Sequence, residues 1–329
     1  MLMRWMIILS LLTPLMGVCQ TLYQPMSQKS CCRVHSALHS PKITRVVPYI
    51  ANACCRPYPP KIETVVHQTP DFSRVDAAGK LNLRLHTGAR RAWISMHGDS
   101  RDLENLVWSV RKRTMILRFK YGAPLYGPVD VDLGMRHLDY LSYHGTGVIT
   151  GHKISSEQLD LNIKNDAVTD LNGRINLGHV VLGGEGRMTI RSGLNRHLNL
   201  VLKDGVHVKI VGTTNLQTLK MSDRSYLSIY WVKAQTLRVM MRGKARAQIA
   251  GTAQEELVML QGDANLNARY LRATEAFVKT YDNAIARIAV VNAQHALASD
   301  RSNIYYYSAP TYKNDFMAEN GVILDLGTS

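Results

Sequence analysis

The chain has 329 residues, 46% of them hydrophobic, which is long enough for one large or two modest domains with a real core. Its formal net charge of +15 fits an acidic partner such as anionic lipid, lipopolysaccharide, an anionic glycan or an acidic protein, and fits equally a soluble protein of high isoelectric point. Lys and Arg are scattered and cluster only at Arg90-Arg91 and Arg111-Lys112-Arg113; no nucleic-acid motif occurs, so nucleic acid is excluded as a partner.

Residues 1–19 read as an export signal. Arg4 supplies the positive start, residues 5–16 are an apolar stretch too short for a stable membrane anchor, and Gly17-Val18-Cys19 places small residues before a cleavage point at Gln20. Lipidation at Cys19 is the alternative, although Val18 is a poor residue to precede a lipidated cysteine. No later run of 18 apolar residues occurs, so no transmembrane helix is expected after signal removal.

Residues 20–70 read as an extended, Pro-rich arm, with Pro57-Tyr58-Pro59-Pro60 polyproline-like. The arm holds two adjacent cysteine pairs, Cys31-Cys32 and Cys54-Cys55, and no later cysteine follows. In an oxidising compartment the even number and tight clustering argue for two disulfides between the pairs, with three connectivities open. Each closed loop would contribute about 3 kcal/mol in the chain-entropy model. His35 and His39 lie close by, but adjacent cysteines fit the spacing of a metal site poorly, so no metal is expected.

Residues 71–329 read as one all-β domain, a β-helix or β-solenoid with an antiparallel N-terminal cap (71–135), repeats (136–307) and a C-terminal cap (308–329). In the cap, Leu81, Leu83 and Leu85 alternate with polar residues, and the strand at Trp93-Ile94-Ser95-Met96 is followed by a turn at Gly98-Asp99-Ser100. The repeats are marked by turn centres at 166, 185, 204, 223, 243, 263, 282 and 300, spaced 19, 19, 19, 20, 20, 19 and 18 residues apart. Six of these are Asp and one is Glu. Before the turns run alternating rows such as Leu198-Leu200-Leu202 and Leu237-Val239-Met241. After them run Val206-Val208-Ile210 and Leu227-Ile229-Trp231. Second breaks fall at Gly173, Gly193, Gly212 and Gly251. One copy cannot bury its apolar face alone, whereas stacked copies bury a continuous strip. Coils about 4.8 Å apart would give a rod on the order of 40 Å long. Propeller blades need about 40 residues each, and the leucine-rich signature is missing; a run of antiparallel hairpins is the rival, and the steady period decides against it.

Residues 72–85, Trp93-Ile94-Ser95-Met96-His97-Gly98-Asp99, Met115-Ile116-Leu117-Arg118-Phe119, Leu138-Asp139-Tyr140-Leu141 and Gly145-Thr146-Gly147 together resemble the head GIN domain family. The resemblance covers roughly residues 71–270. It implies an exported bacterial β-helical protein of the autotransporter-adhesin-head type, with surface binding and no catalytic residues to carry over. Several turns here are Asp-centred and bulkier, as at Ser222-Asp223-Arg224, where the family's are Gly-Ser-Gly or Gly-Ser-Ala.

The search for chemistry yields little. The Asp column could place carboxylates one coil apart, as a calcium or sugar site would need; the plainer expectation is that each Asp closes its own turn. No His-Glu-x-x-His, Gly-x-Ser-x-Gly or P-loop occurs. Asn176, Asn195, Asn215 and Gln235 recur at 19, 20 and 20 residues, as an internal amide ladder would. Tyr305, Tyr306, Tyr307 and Tyr312 form an aromatic cluster that serves either as the end cap or as a partner-binding patch. The expected function is therefore non-enzymatic, with no catalytic residues, cofactor or metal. The protein would be a rigid subunit or scaffold in a cell-envelope assembly, such as a secretion system, docking on envelope proteins through residues 20–70. The alternatives are an adhesin-like surface protein binding glycans or host surfaces, and a polysaccharide-acting β-helix enzyme. The expected location is the periplasm, the outer membrane or the cell surface.

Overall fold

The computed structural model describes residues 59–327. The signal with Cys19, most of the arm, and the disulfide candidates Cys31, Cys32, Cys54 and Cys55 lie outside the described residues.

The first strands are short: β1 (Ile62–Gln68), β2 (Arg74–Gly79), β3 (Asn82–Thr87), β4 (Trp93–Asp99), β5 (Leu106–Arg111), β6 (Thr114–Phe119), β7 (Asp130–Met135) and β8 (Tyr140–Gly145). A short helix, α1 (Ser100–Asn105), sits between β4 and β5. The long strands follow, one to a coil: β9 (Ile149–Asn165), β10 (Val168–Gly183), β11 (Arg187–Leu202), β12 (His207–Met221), β13 (Tyr226–Met241), β14 (Arg246–Leu260), β15 (Asn265–Thr280) and β16 (Ile285–Ala298). The chain ends in β17 (Asn303–Tyr306), β18 (Tyr312–Met317) and β19 (Val322–Asp325).

From β9 to β16 every strand pairs parallel with the next, which is the stacking of a β-solenoid. Hairpins would pair antiparallel, so the rival topology is excluded here. Side chains alternate faces, and inward residues of successive coils fall into register. Leu202, Met221, Met241 and Leu260 form one buried row, and Val208, Leu227, Ala247 and Leu266 another. Full burial of each large aliphatic side chain stabilises by about 1.5–3 kcal/mol, so the stacked rows dominate the energetics.

Each long strand bends near its middle. At Gly173, Gly212 and Gly251 the bend uses φ of +144°, +128° and +143°, open to glycine alone. A Cβ on Gly251 would run into the carbonyl oxygen of Val232 on the preceding coil. β13 has no glycine at its bend, and there the expected alternation fails. Leu227 and Ile229 point inward, but Trp231 is 42% exposed and Val232 is fully buried in its stead. The register between β13 and β14 slips between Tyr230 and Val232, so the inward phase moves by one residue.

The N-terminal cap is mixed rather than antiparallel throughout. β1 with β4, β4 with β7, and β5 with β6 are antiparallel. β2 runs parallel to β6 and β8, and β3 parallel to β7 and to the start of β9. β2 and β3 thus already form a foundation coil. Gly98-Asp99-Ser100 is no plain turn, because Asp99 caps α1. Its carboxylate accepts from the Arg101 backbone N–H at 3.1 Å and is clasped by the Arg101 guanidinium through two contacts of 2.7 Å. That guanidinium holds the carboxyl down at about 2. β1 lies within the span expected as arm, and all seven of its residues pair with β4. At the other end, β18 and β19 continue the parallel stack on β16 and β17, so the C-terminal cap is itself a partial coil.

Candidate functional site

The acidic residues of the turns do not form one column. The backbone register stacks Gly184, Asp204, Asp223, Gly243, Gly262, Asp282 and Asp300, all with φ between 59° and 89°. Asp166, Glu185 and Asp263 sit one residue later in their turns. The left-handed conformation explains the composition, since Gly and Asp adopt it at little cost. Asp204, Asp223, Asp282 and Asp300 do close their own turns through left-handed backbones, and their carboxylates in addition reach across to the neighbouring coil. Asp204 accepts from the N–H of Gly184 at 3.0 Å, Asp223 from Asp204 at 3.3 Å, Asp282 from Gly262 at 2.9 Å, and Asp300 from Asp282 at 3.0 Å. The Ser222 hydroxyl and then the Asp204 N–H hold the Asp223 carboxyl below the usual carboxylate range, and the Asp282 N–H does the same for Asp300. The ladder is therefore committed to joining coils. Among the described residues, no group of three or more His, Cys, Asp or Glu side chains is placed to hold a metal ion.

The expected amide ladder is only partly internal. Asn195 is fully buried: its amide donates to Ser192 Oγ at 2.9 Å and to Thr214 Oγ1 at 3.0 Å, and its Oδ1 accepts from the N–H of Leu177 at 2.9 Å. Asn176 and Asn215 are half-buried, and Gln235 is exposed. Past Asn195 the β11–β12 register is irregular around Arg196, while Gln235 lies level with Gln254 and Thr274, and Lys233 level with Thr252 and Arg272, in two outward columns.

These two columns, with Arg196 and Asn215, line a groove of about 870 Å3 at the bend of β11–β15, with Val291 at its far end. Arg196, His197, Lys233 and Arg272 supply its basic groups, and Asn215, Gln235, Thr252, Gln254 and Thr274 its neutral hydrogen-bonding groups. No carboxylate lines it. His197 is held by the Gln217 amide at 3.1 Å. Among the described residues the side-chain charges of Arg196, Lys233 and Arg272 have no carboxylate partner. Glu255 and Glu275 stand in an adjoining recess, where Glu255 accepts from the Thr236 hydroxyl at 3.0 Å and Glu275 faces His295 at 3.6 Å. The groove is thus a basic trough with neutral donors and acceptors, suited to a hydroxylated anion. Sequence inspection missed its cations because they alternate with neutral residues, as Lys233, Thr252 and Arg272 do from coil to coil. The one available signal was the amide column, read one residue out of phase at Asn195.

The tyrosine cluster is divided by strand alternation. Tyr306 points inward, 5% exposed, with its hydroxyl 3.3 Å from Asp315 and the Lys313 ammonium 4.8 Å from its ring centre. Tyr305 points outward beneath Arg287. Tyr312 lies on β18, 54% exposed and 5.6 Å from the His295 ring, and Tyr307 is half-buried. Glu256 was not singled out in the sequence. It is fully buried on β14, neither carboxylate oxygen has a hydrogen-bond partner among the described residues, and burial pushes its carboxyl up to about 8.

Residues 199–310 match the model of a family described as putative auto-transporter adhesin, head GIN domain. The resemblance is thereby shown on the later coils, whereas the motifs between residues 72 and 147 lie outside the matched span. A search of the curated proteins finds no match. Among solved structures, a putative adhesin from Parabacteroides distasonis aligns at 14% identity and a TM-score of 0.45, over 82% of this chain and 98% of that one. A putative lipid binding protein from the same organism aligns at 14% identity and 0.43, over 81% and 97%. A putative adhesin from Parabacteroides merdae aligns at 15% identity and 0.43, over 81% and 96%. Among the described residues, no helix is long and apolar enough to cross a membrane.

Proposed function

We propose that this chain is an exported, non-enzymatic binding protein of the adhesin-like type, whose solenoid takes an acidic polysaccharide into the basic groove at the bend of its coils. The observation that carries the reading is a set of cations, Arg196, Lys233 and Arg272, that have no carboxylate partner among the described residues and stand among amides and hydroxyls on a parallel stack. Cations with no carboxylate partner are free to meet sulfate, phosphate or uronate groups, while Gln235, Gln254 and Thr274 offer hydrogen bonds to hydroxyls. The adhesin description of the family matched by residues 199–310 supports the same reading. A stack repeating at about 4.8 Å presents recurring groups to a recurring polymer, which favours avidity over a single tight contact.

Binding of polygalacturonate to the exported protein, measured by calorimetry at several salt concentrations, tests this. Affinity falls with salt, and the pair Lys233→Glu with Arg272→Glu weakens it by about tenfold or more. Equal binding of a neutral polysaccharide, or an unchanged affinity in the double variant, would refute the assignment.

A further inference from the structure

A second set of groups lies on the outer face of the half-strands that follow each turn. In register, Val211 on β12 neighbours Tyr230 on β13, Tyr230 neighbours Ala250 on β14, and Ala250 neighbours Tyr270 on β15. Tyr230 is 63% exposed and Tyr270 64%, whereas Ala250 between them offers only a methyl group. Two rings standing two coils apart, about 10 Å, thus frame a slot over a small residue. Trp231 braces Tyr230 edge-on, with ring centres 6.0 Å apart. The Arg269 guanidinium lies 4.5 Å from the centre of the Tyr270 ring.

Gln248 and Asn267 are shared by this slot, a hollow of about 290 Å3, and by a neighbouring hollow of about 260 Å3 that adds Arg246 and Arg287. No carboxylate lines either hollow. Asn267 Oδ1 is buried and has no hydrogen-bond partner among the described residues. A buried acceptor left unpaired costs free energy unless something donates to it. Exposed rings, an orphaned amide oxygen, the Gln248 amide and the guanidinium groups of Arg246 and Arg287, the latter with Nη1 donating to Asn265 Oδ1 at 2.9 Å, complement a ring with apolar C–H faces, hydroxyl donors and an acid group.

We propose that the Tyr230–Tyr270 slot is a subsite for one acidic sugar residue, its ring against the tyrosines, a hydroxyl donating to Asn267 Oδ1 and its carboxylate meeting Arg246 and Arg287. The ligand class rests on the reading of the protein as a binder of acidic glycans; the site is separate from the basic groove.

Oligogalacturonides and neutral oligogalactosides are titrated against the exported protein by calorimetry. The variants are Tyr230→Ala with Tyr270→Ala, Ala250→Trp to fill the slot, and Lys233→Glu with Arg272→Glu in the groove. Circular dichroism melts confirm that each is folded. The subsite predicts that both slot variants weaken oligogalacturonide binding on the order of tenfold or more, while Arg246→Gln weakens oligogalacturonides and spares the neutral series. Undiminished binding in folded slot variants, with loss in the groove variant, overturns the subsite and leaves the groove reading standing. Binding of neutral and acidic oligomers with equal affinity overturns the acid assignment. No oligogalacturonide binding by the unaltered protein overturns both readings.

Discussion

Glu256 makes the stability of this solenoid depend on pH in a way that can be calculated. Its carboxyl sits in the inward column of β14, next to Leu237 on one coil and Ala276 on the other, with neither oxygen paired among the described residues. Burial raises it from 4.5 to about 8, and at about 1.4 kcal/mol per pH unit the full displacement corresponds to about 5 kcal/mol. The folded state holds its proton more tightly than the unfolded chain does. The neutral form's contribution is therefore fully present below about pH 4.5, falls as pH rises between the two values, and is lost above about 8. At pH 7 the ionisation penalty is already about 3 kcal/mol. Glu256→Gln keeps the shape and removes the titration, at the price of an amide that inherits the unpaired site, which costs about 1–3 kcal/mol at every pH. Urea unfolding of both proteins between about pH 5 and 9 checks this. The difference curve should tilt in favour of the variant by about 1.4 kcal/mol per unit up to about pH 8 and then level off. Titrations elsewhere in the chain cancel in the difference. Parallel pH profiles for the two proteins would show that Glu256 is solvated or paired, and the reasoning would fall.

The turn ladder makes a graded prediction. Asp223→Gly keeps the left-handed turn and loses the carboxylate that Asp204 N–H and Ser222 use, whereas Asp223→Ala also strains the backbone; melting midpoints should place Ala below Gly by about 1–2 kcal/mol. Because Asp223 and Asp300 are held below the usual carboxylate range, their contribution is present at neutral pH and disappears as pH falls through their folded values; Asp300→Asn should therefore flatten the acid limb of the stability profile. Gly251→Ala forces a Cβ against the Val232 carbonyl at φ +143° and should destabilise by about 3 kcal/mol or more, seen as loss of soluble protein or a lowered melting midpoint. Asn195→Ala strips three hydrogen bonds from a buried bend and should cost about 2–4 kcal/mol in the same assay, whereas an exposed ladder residue such as Gln235→Ala should cost almost nothing.

The period of the turns was legible because a solenoid repeats its backbone, and a repeating backbone demands recurring turn residues. Inward rows such as Leu198-Leu200-Leu202 were legible for the same reason: strand alternation is strict away from bends. Phase at the bends was not legible. The choice between Trp231 and Val232 as the inward residue depends on how many residues the bend absorbs, and without a glycine nothing in the sequence counts them. The turns slipped likewise, because Gly and Asp both serve the left-handed position and either can stand next to it, as Gly184-Glu185 and Gly262-Asp263 do. Glu256 was hidden because it occupies a position that Leu237 fills one coil earlier, and a carboxylate in that place reads as a surface residue until the register is known.

The phase slips at the bends share a location with the candidate binding surfaces. Along the regular half-strands, inward identity is set by packing and outward identity is nearly free, so neither marks a site. At the bends the backbone leaves the repeat: Gly251 replaces a side chain with a close approach, and Asn195 uses its amide to hold the chain in place. Arg196, Lys233 and Arg272 then stand in a trough instead of along a flat sheet, and Ala250 opens a gap between Tyr230 and Tyr270 where an unbroken aromatic row would have closed it. A uniform stack would offer the same shallow surface at every coil and could recognise a polymer only by repetition. Interrupting the stack at its bends gives it concavity, and with concavity the ability to distinguish one ligand from another.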